Sequence, residues 1–165
     1  MELIGRRLSA AEHDAVLADP ALVETLLFGS EDEDDADGMP EPDLDLDKSW
    51  HAVHFLLAGS AWGLGDGLAG AAVLGGDDIG EDGGYGPARL VSADRVRAIA
   101  EALDAVTDDA LRARFDRSAM KAAEIYPDIW DEDVPVDGFL EEIAGLRIFY
   151  RTAAADHQAI LLMIT

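Results

Sequence analysis

Cysteine is absent from the 165 residues. That excludes disulfides, thiolate nucleophiles and cysteine-ligated zinc or iron–sulfur centres together. Lysine is scarce as well: Lys48 and Lys121 are the only two, within 12 basic residues set against 35 acidic ones. The resulting formal charge of −23 has the sign of a phosphate backbone, so no nucleic acid is expected as a partner. A basic protein partner, or a cation, is electrostatically easier. A salty cytoplasm, or a high-GC genome favouring Ala, Gly, Asp and Arg, produces the same composition as background. No run approaches the roughly 20 apolar residues that cross a bilayer. The opening MELIGRRLSAAEHD has no apolar stretch ahead of a small-residue cleavage site. A cytoplasmic protein with no membrane attachment is expected.

Catalytic signatures are missing too. None of the six serines lies in Gly-x-Ser-x-Gly, and Gly59-Ser60-Ala61-Trp62-Gly63 has the wrong spacing. Gly63-Leu64-Gly65-Asp66-Gly67 follows a helix, lacks Gly-Lys-Ser or Gly-Lys-Thr, and stands among carboxylates that repel phosphate. Two acidic stretches begin like calcium loops. The first meets Leu44 at its twelfth place and the second Arg89, where a bidentate Glu is needed. No cofactor is expected.

What is present is enough apolar material, 49% of residues, for one domain with a full core. Residues 2–8 read as a strand, and Ser9-Ala10-Ala11-Glu12 as a capping box that opens a helix to about Ala18. Asp19-Pro20 restarts the chain as N-cap and first helical residue, and Gly29 stops it. SEDEDDADGMPEPD, residues 30–43, combines self-repelling charge with glycine and proline, the composition of a flexible solvated loop.

From Leu44 the pattern changes. Asp45 or Asp47 is placed to cap a helix on which Leu46, Trp50, Val53 and Leu57 share a face, with Phe55 opposite. A helix apolar on both sides is a buried one. Eleven of the sixteen glycines fall between Gly59 and Gly86, where LAGAAVLGG forms a short helix or strand and the rest reads as loop. YGPARLV reads as a strand, and Ser92, Thr107 and Asp116 as caps of three successive helices. FLEEIAGLRIFYRTA has helical period, and AILLMIT is the kind of apolar run found in a strand at the centre of a sheet. Strands scattered among helices give an α/β domain over residues 1–165: a three-layer α/β/α-like arrangement with a small mixed sheet and several helices.

Four groups of residues carry chemistry. Asp47, His51 and His54, if helical, fall within about 60° of one another around the axis. They could ligate a divalent metal in a hydrolase, or let Asp47 orient His51 as general base. Asp47 could equally be a cap and the histidines backbone-bonded. Lys48, beside Asp45 and Asp47, offsets local repulsion if exposed and anchors a ligand if buried. Asp82, Tyr85 and Arg89 belong to a stretch that is either a ligand-gripping loop or a tight turn into a strand. Glu124 and Tyr126, followed by Asp128, Trp130 and Asp131, offer a rim for a basic group through carboxylate and cation–π contact.

LDLDKSWHAVHFLLAG, then AAVLGG, then DGGYGPARL, then AEIYPDIWD, in this order and spacing, resemble the YfbM-like family of bacterial proteins, a domain of unknown function. The resemblance covers the whole chain, with an early glycine, Gly5, and an apolar closing strand. The acidic insertion Glu31–Asp37 departs from it. It implies a three-layer α/β/α domain of the bacterial cytosol and no particular activity. Asp45, Asp47, Lys48, Trp50, His54, Tyr85, Glu124 and Tyr126 would then surround any shared cleft. A non-enzymatic protein whose acidic surface receives a basic partner, in the manner of an immunity or inhibitor protein, is the first functional expectation. A metal-assisted hydrolase using Asp47, His51 and His54 is the alternative.

Overall fold

A computed structural model describes residues 1–29 and 41–165. The expected acidic loop at 30–43 lies, as far as residue 40, outside the described residues. Asp43, at its end, pairs with Arg7 at 2.6 Å.

Strand β1 (Leu3–Leu8) opens the chain and hands over to helix α1 (Ala10–Ala18) through the expected capping box. The Glu12 carboxylate accepts the Ser9 N–H at 2.8 Å while Ser9 Oγ accepts the Glu12 N–H at 3.3 Å, so two helix-end donors are satisfied reciprocally. Helix α2 (Leu22–Phe28) begins two residues later than expected, because Asp19 Oδ1 accepts the Ala21 N–H at 3.2 Å and turns Pro20 and Ala21 ahead of the first helical residue. Gly29, with φ 85°, ends it.

A two-residue strand, β2 (Leu44–Asp45), docks on β1 with Gly5 opposite Leu44. Gly5 is small for a reason of packing. A Cβ there would stand 3.1 Å from Leu162 and 3.2 Å from both Leu44 and Phe149. Helix α3 (Trp50–Ala58) is buried along nearly its whole circumference, including His51 and His54. Arg114 donates to the carbonyl oxygens of Leu56 and Leu57, satisfying acceptors at the C-terminal end of that helix. A short helix α4 (Ala71–Leu74) follows, then β3 (Asp77–Asp82) and β4 (Pro87–Val91). The loop expected at residues 77–82 is thus a strand. DDIGED has no apolar alternation to reveal it, since β3 is an edge strand whose carboxylates face water and whose pairing with β4 is a backbone matter.

Helices α5 (Ala93–Ala105), α6 (Asp108–Arg114), α7 (Arg117–Ala122) and the long α8 (Val136–Ala155) lead to β5 (Ala159–Ile164). Thr107 Oγ1 caps α6 and Asp116 caps α7, as the sequence indicates, whereas Ser92 precedes α5 without a side-chain cap. Tyr150 of α8 is wholly buried, and its hydroxyl donates to the Ala72 carbonyl at 3.0 Å. Burial without a positive neighbour pushes its pKa up.

The sheet order is β2-β1-β5-β4-β3, which puts β5 at the centre as expected. Its strands are antiparallel in every pairing, not mixed. The reason is topological: β1 and β4 run in the same direction but never meet, because β5 inserts between them in the opposite sense. Alternate residues of β5 serve two cores. Ile160 and Leu162 join Leu3, Val91 and helices α3 to α8, while Ala159, Leu161 and Met163 join Leu8, Val16, Val23 and Leu27 on the α1–α2 side. The sheet therefore sits between two helical layers. No helix among the described residues is long and apolar enough to cross a membrane.

Candidate functional site

His51 is 1% exposed, and both ring nitrogens are engaged by backbone. Its Nδ1 accepts the Tyr126 N–H at 3.0 Å, and its Nε2 lies 2.9 Å from the Ala61 carbonyl oxygen. An amide N–H only donates and a carbonyl oxygen only accepts. The imidazole is therefore neutral, with its proton on Nε2. Burial lowers its pKa, opposed by the hydrogen bond to Ala61. Trp50 stacks on it with ring centroids 4.7 Å apart, and Trp62 leans on it at 4.5 Å.

His54 is fully buried one turn further along α3. Its Nε2 donates to the Gly63 carbonyl at 3.1 Å, and its Nδ1 has no partner among the described residues. Burial drives its pKa down to about 4.

The expected Asp47, His51 and His54 constellation does not assemble. Asp47 precedes α3 on a single 3₁₀ turn with φ 42°, because Asp45 Oδ1 accepts the Asp47 N–H at 2.7 Å and the Leu46 N–H goes to the Leu3 carbonyl. Asp47 is exposed while both histidines are interior. Among the described residues no three His, Asp or Glu side chains come together to hold a metal ion. Nor has His51 a free lone pair for general base work, since Tyr126 occupies it.

Asp45, Asp47 and Lys48 all lie on the surface. Across from them on α8, Glu142 has its pKa raised, first by partial burial and then by the charges of Asp45, Asp47 and Glu141. Lys48 is thus a solvated cation in an acidic neighbourhood, the first of its two expected roles, offsetting local repulsion.

The remaining residues divide between two cavities. One, of about 430 Å³, is lined by Trp62, Tyr85 and Arg89 together with apolar residues of β1, α4 and β5. Asp82 shapes its rim by accepting the N–H groups of Gly84 at 2.7 Å and Gly86 at 2.9 Å, which fixes the loop carrying Tyr85. Asp82 is thus a turn builder. The other cavity, of about 450 Å³, is lined by Met1, Lys121, Glu124, Ile125, Tyr126 and Asp128. Glu124 has φ 54°, which aims the chain back across the end of α7, and the Trp130 indole closes the turn by donating to the Ile125 carbonyl at 2.6 Å. Lys121 is bonded to Asp131, so its charge is offset within the rim. Tyr85 and Tyr126 therefore belong to different hollows, and the two histidines line neither.

Trp62 is the site residue that sequence reasoning passes over. It is 63% exposed at the mouth of the first cavity. A lone tryptophan in a glycine-rich loop, with no periodic apolar partner, is the one signal that could have found it.

A family model described as a domain of unknown function, DUF1877, matches residues 1–163. The chain is similar to the crystal structure of a protein of unknown function, YfbM, from Escherichia coli. The TM-score is 0.75 at 20% identity, and each chain is covered in full. That likeness shows the fold. Among curated proteins none is significantly similar.

Proposed function

The chain belongs to the DUF1877 family, and from that premise we propose that it is a non-enzymatic binding protein of the bacterial cytosol. Its acidic surface receives a basic protein partner, in the manner of an immunity or inhibitor protein. One observation carries the reading. The cavity beside Glu124, Tyr126 and Asp128 offers two carboxylates and a phenol ring around a hollow large enough for a lysine or arginine side chain. The segment that forms it is fixed to α3 through the Tyr126 to His51 hydrogen bond.

Charge works in the same direction. Arg6, Arg7, Arg89, Arg97, Arg112, Arg117, Lys121, Arg147 and Arg151 each pair with a carboxylate of the chain itself, which leaves the acidic excess facing outward. Each such surface pair adds little stability, about 0–1 kcal/mol. With most cations so paired, the acidic excess gives the chain a net negative charge that attracts cationic partners and speeds their encounter.

The test is affinity capture from a bacterial lysate with the wild-type chain and with a Glu124→Gln, Asp128→Asn double variant. A basic protein retained by the former, released by moderate salt and lost with the latter, is expected. Equal retention by both would remove the cleft from the account, and salt-insensitive or empty capture would remove the electrostatic partner.

A further inference from the structure

We propose that the cavity beside Arg89 is a second, independent site, one that binds a small monocarboxylate with an apolar body. It rests on the geometry around β4 and owes nothing to the acidic cleft.

Arg89 lies directly opposite Leu162 in the β4–β5 ladder, as Gly5 does in the β1–β5 ladder, so its side chain leaves the sheet on the face that also carries Leu3 and Leu162. Those residues floor the cavity, Leu74 of α4 walls it, and Trp62 and Tyr85 stand at the rim. An arginine beside this apolar floor calls for a partner. The carboxylate at hand, Asp78, is its cross-strand neighbour on the edge strand, yet the pair is 3.5 Å apart with Asp78 63% exposed. That is well beyond the roughly 2.7–2.9 Å of a strong charge-assisted bond. The guanidinium fork keeps donors for a ligand.

The shape and charge of the hollow select the ligand class. About 430 Å³ is ligand-sized. A single guanidinium matches a single carboxylate in bidentate fashion. The chain's charge of −23 disfavours anything more highly charged, such as a phosphate monoester. The two exposed rings suit an apolar or aromatic body. The Trp62 ring rests against His51 beforehand, and Asp82 fixes the backbone of the loop that carries Tyr85. A preorganised rim lowers the cost of ordering on binding.

The experiment is an amide and indole NMR titration of the ¹⁵N-labelled chain with 3-phenylpropionate, with its neutral analogue 3-phenylpropanol, and with phenyl phosphate. Phenylpropionate is expected to shift the Trp62 indole and the Gly76 and Gly86 amides. Arg89→Gln should weaken it at least about tenfold while leaving the alcohol unchanged. Tyr85→Ala, an exposed rim substitution that spares the sheet, should weaken both several-fold. Equal affinity for acid and alcohol, tighter binding of the phosphate, shifts elsewhere than this cavity, or a Tyr85→Ala chain that binds as the wild type does would each overturn the proposal.

Discussion

His51 Nδ1 accepts the N–H of Tyr126, a residue 75 positions further along the chain, at 3.0 Å. The same ring donates from Nε2 to Ala61, so one imidazole holds three segments together: α3, the glycine-rich loop, and the turn that forms the acidic cleft. A residue with the look of a catalytic base is instead a structural clasp.

Replacing that clasp leaves two part-buried backbone groups without partners. His51→Phe keeps ring volume but offers neither an acceptor to Tyr126 nor a donor to Ala61. A loss toward the lower end of about 2–6 kcal/mol follows from roughly 1–3 kcal/mol for each of the two orphaned groups, read by urea denaturation. Amide hydrogen exchange at Tyr126 should accelerate beyond what global unfolding accounts for. Unchanged protection there would show that the clasp does not position the cleft.

His54 gives a pH dependence whose sign is fixed. Its folded pKa, about 4, is below the unfolded value of 6.5, so the unfolded chain binds the proton first. Stability is complete above about pH 6.5 and declines as pH falls toward about 4, by about 3 kcal/mol for the full shift. His51, also lowered, adds in the same direction. Denaturation midpoints between pH 7 and pH 5 should fall for the wild type and fall less for His54→Leu. Parallel curves for the two chains would be the contrary result.

The fold is readable in sequence where local chemistry decides it. Ser9 with Glu12, Thr107 and Asp116 carry their caps in the side chain itself, and Leu46, Trp50, Val53 and Leu57 show their buried face by spacing alone. Edge strand β3 is unreadable, because backbone pairing leaves no apolar pattern in DDIGED. The antiparallel direction of every pairing is equally hidden, since it depends on β5 arriving last between β1 and β4. At the site, residue types single out Glu124 and Tyr126 as a rim for a basic group, and Tyr85 and Arg89 as loop residues. Their separation into two hollows has no local signature. Nor has the departure of Asp47 from the helical face, which turns on the 2.7 Å Asp45 to Asp47 hydrogen bond.

Two glycines with nearly the same φ offer a clean comparison. Gly59 has φ 75° and open space where a Cβ would stand, so alanine there costs only the left-handed penalty, about 1–2 kcal/mol. Gly65 has φ 74°, but a Cβ would come within 2.3 Å of the Ala58 carbonyl oxygen. Gly65→Ala should therefore lower the melting temperature clearly more than Gly59→Ala. Equal losses would mean that the loop relaxes freely around Ala58.

The net charge makes salt a stabiliser. With −23 on one domain, like-charge repulsion opposes compaction, and screening relieves it. The melting temperature should rise from low to moderate sodium chloride. A fall would mean that the nine arginine and lysine ion pairs among the described residues outweigh the repulsion.

The most direct test of the acidic cleft is an NMR titration of the wild-type chain and the Glu124→Gln, Asp128→Asn variant with a short oligoarginine peptide at low and moderate salt. Shifts centred on Tyr126 and Asp128, an affinity that falls with salt, and a loss of at least about tenfold in the variant are expected. Shifts scattered over every acidic face, with the variant binding as well as the wild type, would contradict it.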